Sequence, residues 1–109
     1  VKILFLHLIL IVLCLAGCAA SAHYYERQSD RLTFYLNVPG ARGVAFASSL
    51  DAFNPHLASR VDGSRWVISV AADTEFRYFY IVDGAVYVPE CRFYENDDFG
   101  SRNCVYMPE

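Results

Sequence analysis

The dipeptide Asp83-Gly84 stands between two apolar runs, Phe76 to Val82 and Ala85 to Val88, and few short sequences constrain a chain more. Both positions of a two-residue type I′ turn need positive φ, which Asp and Gly tolerate, so the pair predicts a tight β-hairpin. The register follows at once. Val82 faces Ala85, Ile81 faces Val86, Tyr80 faces Tyr87 and Phe79 faces Val88. Because side chains alternate along a strand, Phe79, Ile81, Val86 and Val88 share one side while Tyr78, Tyr80, Val82 and Tyr87 share the other. Both sides are apolar. One must meet a core, and the other is either covered or presented as a patch of the kind that marks an interface.

Other strand signals surround this hairpin. Leu32 to Val38 alternates, with Leu32, Phe34, Leu36 and Val38 on one face, and Pro39-Gly40 ends it. Val44 to Ser48, Trp66 to Val70 and Cys104 to Met107 give further strands, and no segment after residue 22 has a helical period. About seven short strands with regular turns predict an all-β fold, an immunoglobulin-like antiparallel sandwich.

The front of the chain reads differently. Ile3 to Leu15 is apolar except for His7, follows Lys2, and leads into Leu15-Ala16-Gly17-Cys18. A basic residue, an apolar stretch of roughly 7 to 15 residues and a small-residue cleavage site make a secretory signal. Cleavage before a cysteine makes it a lipoprotein signal, so residues 1–17 are expected to leave and Cys18 to be acylated. The acyl chains would anchor the protein to a bacterial membrane, since several chains hold where one is marginal. An uncleaved helix from Ile3 to about Ala20 is the rival reading. Ala19 after the cysteine favours outer-membrane sorting, which places the protein in the cell envelope. Residues 18–31, polar and mixed, read as a lipidated tether, and residues 32–109 as the domain.

Export bears on the other cysteines. Cys14 would leave with the signal and Cys18 take lipid, which leaves Cys91 and Cys104 as a pair in an oxidising compartment. A bridge between them would close a loop of about 14 residues and contribute on the order of 3 kcal/mol. Zinc is the competing use of two cysteines, but the spacing is not that of a knuckle.

Charge excludes a class of partner. Lys2 is one of nine Lys and Arg residues, so the chain from Cys18 has eight Arg against twelve Asp and Glu, a net of −4. Such a chain does not neutralise a row of phosphates, so no nucleic acid is expected. A Gly-x-Ser-x-Gly elbow, His-Glu-x-x-His, a phosphate loop and Gly-x-Gly-x-x-Gly do not occur in the sequence. His23 and His56 lack matching partners in the sequence and read as surface histidines. Glu90, Glu95, Asp97 and Asp98 could pair for glycoside cleavage or hold calcium, although such runs are more often solvated loops. Trp66 at the head of a strand reads as packing. No catalytic residue, metal or cofactor is expected.

Phe76-Arg-Tyr-Phe-Tyr-Ile-Val-Asp-Gly84, followed by Asp97-Asp98-Phe99-Gly100-Ser101-Arg102-Asn103, resembles the signature of carbohydrate-binding module family 48. That family contains the isoamylase N-terminal domain and the glycogen-binding domain of the AMP-activated protein kinase beta subunit. Val44 to Phe53 and Gly63-Ser-Arg-Trp66 resemble its upstream elements, so the likeness runs from about Leu32 to Tyr106. It implies an early-set immunoglobulin-like sandwich and an α-glucan as ligand. Carried over position by position, the first stacking tryptophan of the family falls on Phe53, its strand lysine on Phe79 and its second tryptophan on Val86. An apolar loop residue falls on Phe99, and the asparagine is kept as Asn103. The resemblance thus implies a ligand site of Phe53, Phe79, Val86, Phe99 and Asn103. Two readings stay open: binding of an α-glucan or related polysaccharide, or a sugar site converted to docking an envelope protein.

Overall fold

The computed structural model describes residues 22–71 and 73–108. The apolar front segment, Cys14 and Cys18 lie outside the described residues, and so does whatever anchoring they provide. Within them the chain is all-β. Ten strands form two antiparallel sheets: β1 (His23–Gln28), β2 (Arg31–Asn37), β3 (Val44–Ser48), β4 (His56–Leu57), β5 (Ser59–Asp62), β6 (Arg65–Ala71), β7 (Phe76–Val82), β8 (Ala85–Tyr87), β9 (Tyr94–Asn96) and β10 (Arg102–Tyr106). The first sheet runs β1-β2-β6-β5; the second runs β4-β3-β7-β10-β9, with β8 paired to β7.

The alternation of β2 decides how the sheets meet. Leu32, Phe34 and Leu36 are buried and point to the second sheet, where Phe46, Phe76, Tyr78 and Tyr80 point back. Phe34 sits at the centre, with ring centroids 5.2 Å from Phe46, 6.1 Å from Phe76 and 4.9 Å from Tyr78. Tilted and edge-on aromatic packing of this sort adds to the gain from burial alone. Trp66, on β6, is buried in the same core, as its reading as packing anticipates.

The hairpin forms with Tyr80 opposite Tyr87, Ile81 opposite Val86 and Val82 opposite Ala85, as expected, but the ladder ends there and the expected pairing of Phe79 with Val88 does not form. Asp83 and Gly84 have φ of 50° and 82°. Asp83 does more than turn: its Oδ1 accepts from the backbone N–H groups of Arg42 and Gly43 at 2.8 and 2.9 Å, which holds the β2–β3 connection to the hairpin tip.

Three expectations need correction. The stretch read as tether is, from His23 to Gln28, the edge strand β1, paired to β2 along its whole length. Its charged outer half resembles a linker in sequence, yet charge on an edge strand is what keeps that edge from pairing with other chains. His23 is half-buried rather than a surface histidine. Its ring lies between the sheets, centroids 6.1 Å from Phe34 and 5.5 Å from Tyr80, with Nε2 3.0 Å from the Tyr80 hydroxyl. Burial pushes its pKa below the ordinary imidazole value, against a hydrogen bond to the Glu90 backbone. His56 is a surface histidine as expected, but it has a partner, its Nε2 hydrogen-bonding the Asp51 carboxylate. The paired cysteines are as expected: Cys91 and Cys104 form a disulfide with Cα atoms 5.8 Å apart.

Candidate functional site

β7 buries Phe76, Tyr78 and Tyr80 and turns Phe79 and Ile81 outward, so the second sheet has an apolar outer face. Pairing assembles that face from four strands. Leu57 lies opposite Ala45, Ala45 opposite Ile81 and Ile81 opposite Val86, a continuous row across β4, β3, β7 and β8. The ends of the row are the most open, Leu57 at 86% and Val86 at 70% exposure. In the neighbouring row Ala47 lies opposite Phe79. Ala45 is partly exposed, whereas Ala47 is fully buried.

Phe53 reaches this face by an unusual turn. Ser48 starts a 3₁₀ turn over Ser49–Asp51, its hydroxyl accepting from the Leu50 N–H at 3.3 Å. Ala52 and Phe53 then both adopt the left-handed conformation, φ 60° and 62°, and the Phe53 N–H returns to the Ser48 carbonyl at 2.7 Å. Left-handed backbone costs about 1–2 kcal/mol at a residue with a Cβ, and non-glycine examples gather where geometry serves a ligand. The result here is a stacked pair, with Phe53 and Phe79 centroids 5.6 Å apart and ring planes at 16°. The turn is fastened to β7 by the Arg77 N–H, which donates to the Ser49 hydroxyl at 2.9 Å.

On the other side of Phe79 is a groove of about 570 Å³. One wall is apolar, made of Phe79, Val86 and Val88; the other is polar, made of Asp97, Gly100, Ser101, Arg102 and Asn103. Backbone pairing explains why there is a groove at all. β8 pairs with β7 from Val82 to Tyr80, and β10 pairs with the same edge from Tyr78 to Phe76. Phe79 therefore lies at a fork between two strands that diverge from one edge.

The polar wall is ordered by its own turn. Asp97 Oδ1 accepts from the N–H groups of Phe99 and Ser101 at 2.8 and 2.9 Å, and the Asp97 N–H donates to the Ser101 carbonyl at 2.7 Å. Gly100, at φ 84°, supplies the left-handed position the turn needs. Arg102 lies over the Tyr94 ring, 4.1 Å from its centroid, which steadies a long side chain at the groove rim. One carboxylate and one guanidinium border the groove, so its charge is balanced. The acidic run does not gather: Glu95 pairs with Arg77 and Asp97 caps its own turn.

Of the five residues singled out in the sequence, Phe79, Val86 and Asn103 line the groove and Phe53 stacks on Phe79 from behind. Phe99 stands apart at the tip of the Asp97 turn, 94% exposed. Val88, Asp97, Ser101 and Arg102 complete the walls with Gly100, and none of them is in the site the resemblance implies. For the polar three the available signal was Asp97 followed by Gly100-Ser101, a spacing suited to a side chain that caps its own turn.

A second cavity, about 250 Å³, opens at the end of the molecule where β1 meets the Cys91 segment, lined by His23, Tyr25, Tyr78, Cys91 and Phe93 among others. Comparison of the sequence with models of known protein families and with curated proteins finds no match to either.

Proposed function

We propose that this protein is a non-catalytic polysaccharide-binding module with an immunoglobulin-like sandwich fold of the family 48 type, held at the bacterial cell envelope through acylated Cys18. The ligand is an α-glucan or related polysaccharide, and it lies in the groove beside Phe79. The observation that carries this reading is the pairing of walls: an apolar strip of Phe79, Val86 and Val88 across from a carboxylate, a hydroxyl, a guanidinium and an amide. A sugar ring offers an apolar C–H face and a rim of hydroxyls, and sites that are mainly apolar with a few convergent polar groups suit it. Phe53, stacked behind Phe79, keeps that ring from tilting away from the ligand.

The test is native electrophoresis of the full-length chain through gels containing glycogen, amylopectin or other glucans. Retardation in at least one glucan gel relative to a plain gel is expected, and equal mobility in all of them would overturn the reading. Anchoring has a separate test. Cys18→Ser abolishes incorporation of a labelled fatty acid, and equal labelling of variant and parent would remove the lipid anchor from the proposal.

The row Leu57, Ala45, Ile81 and Val86 favours a second reading, docking of an envelope protein, because it offers no group for a sugar hydroxyl. Cross-linking in the native envelope, with glucan gels negative, distinguishes it.

A further inference from the structure

The two walls of the groove come from segments that flank the two bridged cysteines. Val88 lies just upstream of Cys91, and Asn103 adjoins Cys104. Phe79 and Val86 are tied to the polar wall through β7, which pairs with both β8 and β10, but no strand pairing among the described residues ties Val88 and the Pro89–Phe93 segment to β10. What ties that segment to β10 is a short cluster of bonds. The Cys91 N–H donates to the Tyr94 hydroxyl at 2.7 Å, that hydroxyl donates to the Pro89 carbonyl at 3.3 Å, and the Val105 N–H donates to the Phe93 carbonyl at 2.9 Å. The disulfide is the covalent member of this cluster.

We infer that the Cys91–Cys104 bridge is a clamp that sets the width of the groove, so that the groove is in its binding form only while the bridge is closed. The ligand half of this statement rests on the proposed function; the mechanical half does not. The bridge joins the Pro89–Phe93 segment to β10; its Cys104 belongs to the buried core with Leu32, Phe34, Leu36 and Phe46, but the pairing of β2 with β6 and of β3 with β7 does not run through it. Opening it would release the Val88 end of one wall while that pairing holds the sheets.

The bridge can also be reached. Cys104 is fully buried, but Cys91 is partly exposed and lines the second cavity, whose lining shares no residue with the groove. A dithiol entering there attacks Cys91 Sγ as a thiolate, the S–S bond breaks, and Cys104 leaves as a thiolate that takes up a proton. The second sulfur of the dithiol then attacks the mixed disulfide. The products are two protein thiols and one oxidised dithiol, so the two electrons come from the reductant. The Cys104 thiol finds an acceptor in place, with Sγ 3.8 Å from the Pro89 carbonyl oxygen.

The test compares the full-length chain oxidised and reduced by dithiothreitol, by amide hydrogen exchange and by retardation in the same glucan gels. Reduction is expected to speed exchange across residues 88–103 at least tenfold while amides of Phe34, Leu36 and Ile68 stay as they were, and to abolish retardation. A Cys91→Ser, Cys104→Ser double variant is expected to behave as the reduced protein does. Unchanged exchange over 88–103 would overturn the clamp, as would a uniform rise through every strand, which would make the bridge a staple of the whole domain. Equal retardation of oxidised and reduced protein would also overturn it. If the oxidised protein ignores every glucan, the proposed function fails, and the exchange pattern alone decides the clamp.

Discussion

The two faces of β7 differ less in sequence than in what surrounds them. Inward are Phe76, Tyr78 and Tyr80; outward are Phe79 and Ile81. Hydropathy does not rank them, and the inner face carries two hydroxyls. Those hydroxyls decide little because they are provided for: Tyr80 bonds His23 and Tyr78 lies 3.8 Å from Cys91 Sγ. Burial pushes the pKa of both phenols well up, so both stay neutral. What selects the face is the opposing sheet, where Phe34 and its neighbours offer rings to pack against, whereas on the outer face Phe79 stacks on the returning Phe53 and borders the groove. Equal apolarity on two faces of one strand thus serves cohesion inside and, on the proposed function, recognition outside.

Substitutions can break that contrast. Phe34→Ala should be the most damaging, because the ring is fully buried and packs against the rings of His23, Tyr25, Phe46, Phe76 and Tyr78. A loss of about 3–5 kcal/mol is expected in chemical denaturation, enough to unfold much of a domain this small. A loss under 1 kcal/mol would mean that the sheets do not depend on this contact.

Ala52→Gly acts in the opposite direction and by less. Glycine accepts the left-handed conformation at no steric cost, so a gain of about 0.5–1 kcal/mol in the same assay is expected after its greater unfolded entropy is counted. Unchanged glucan retardation should accompany it, since the Phe53 ring is untouched. A destabilised Ala52→Gly would show that the turn is not held in that conformation.

The smallest effect concerns pH. Burial lowers the pKa of His23 in the folded protein, so below the ordinary value of 6.5 the unfolded chain binds a proton that the folded one resists. Stability therefore falls as pH drops through that value toward the lower folded one, and it is fully present above it. Thermal melts from about pH 8 to pH 5 should show this decline, and His23→Gln should flatten it. A parent that gains stability on acidification would reverse the sign of the account.

The same contrast explains what the sequence made legible. Asp83-Gly84 and the alternation of Leu32 to Leu36 are local signals, and the hairpin register and inner face followed from them. β1 was hidden because its role depends on β2 lying beside it; alone, Glu26 to Gln28 has a linker's composition. The burial of His23 was hidden for a related reason, as its partner Tyr80 lies in the other sheet. Phe53 and Phe79 were named from a resemblance, but their stacking depends on two consecutive left-handed residues without glycine. The groove depends on the fork at Phe79, where β8 and β10 share an edge, and no sequence pattern announces a fork.

The most direct measurement is glucan retardation of Phe79→Ala beside the parent, read together with the melting temperature of each. Phe79 is the residue where the groove, the stacked pair and the fork coincide. The account predicts that the parent is retarded and that the variant's apparent affinity falls at least about tenfold, as for a truncated aromatic anchor. Its folded state should persist, at a cost of about 1 kcal/mol for the lost ring contact. A parent retarded by glucan whose Phe79→Ala variant is retarded equally would contradict the account, because the binding surface would then lie elsewhere on the molecule.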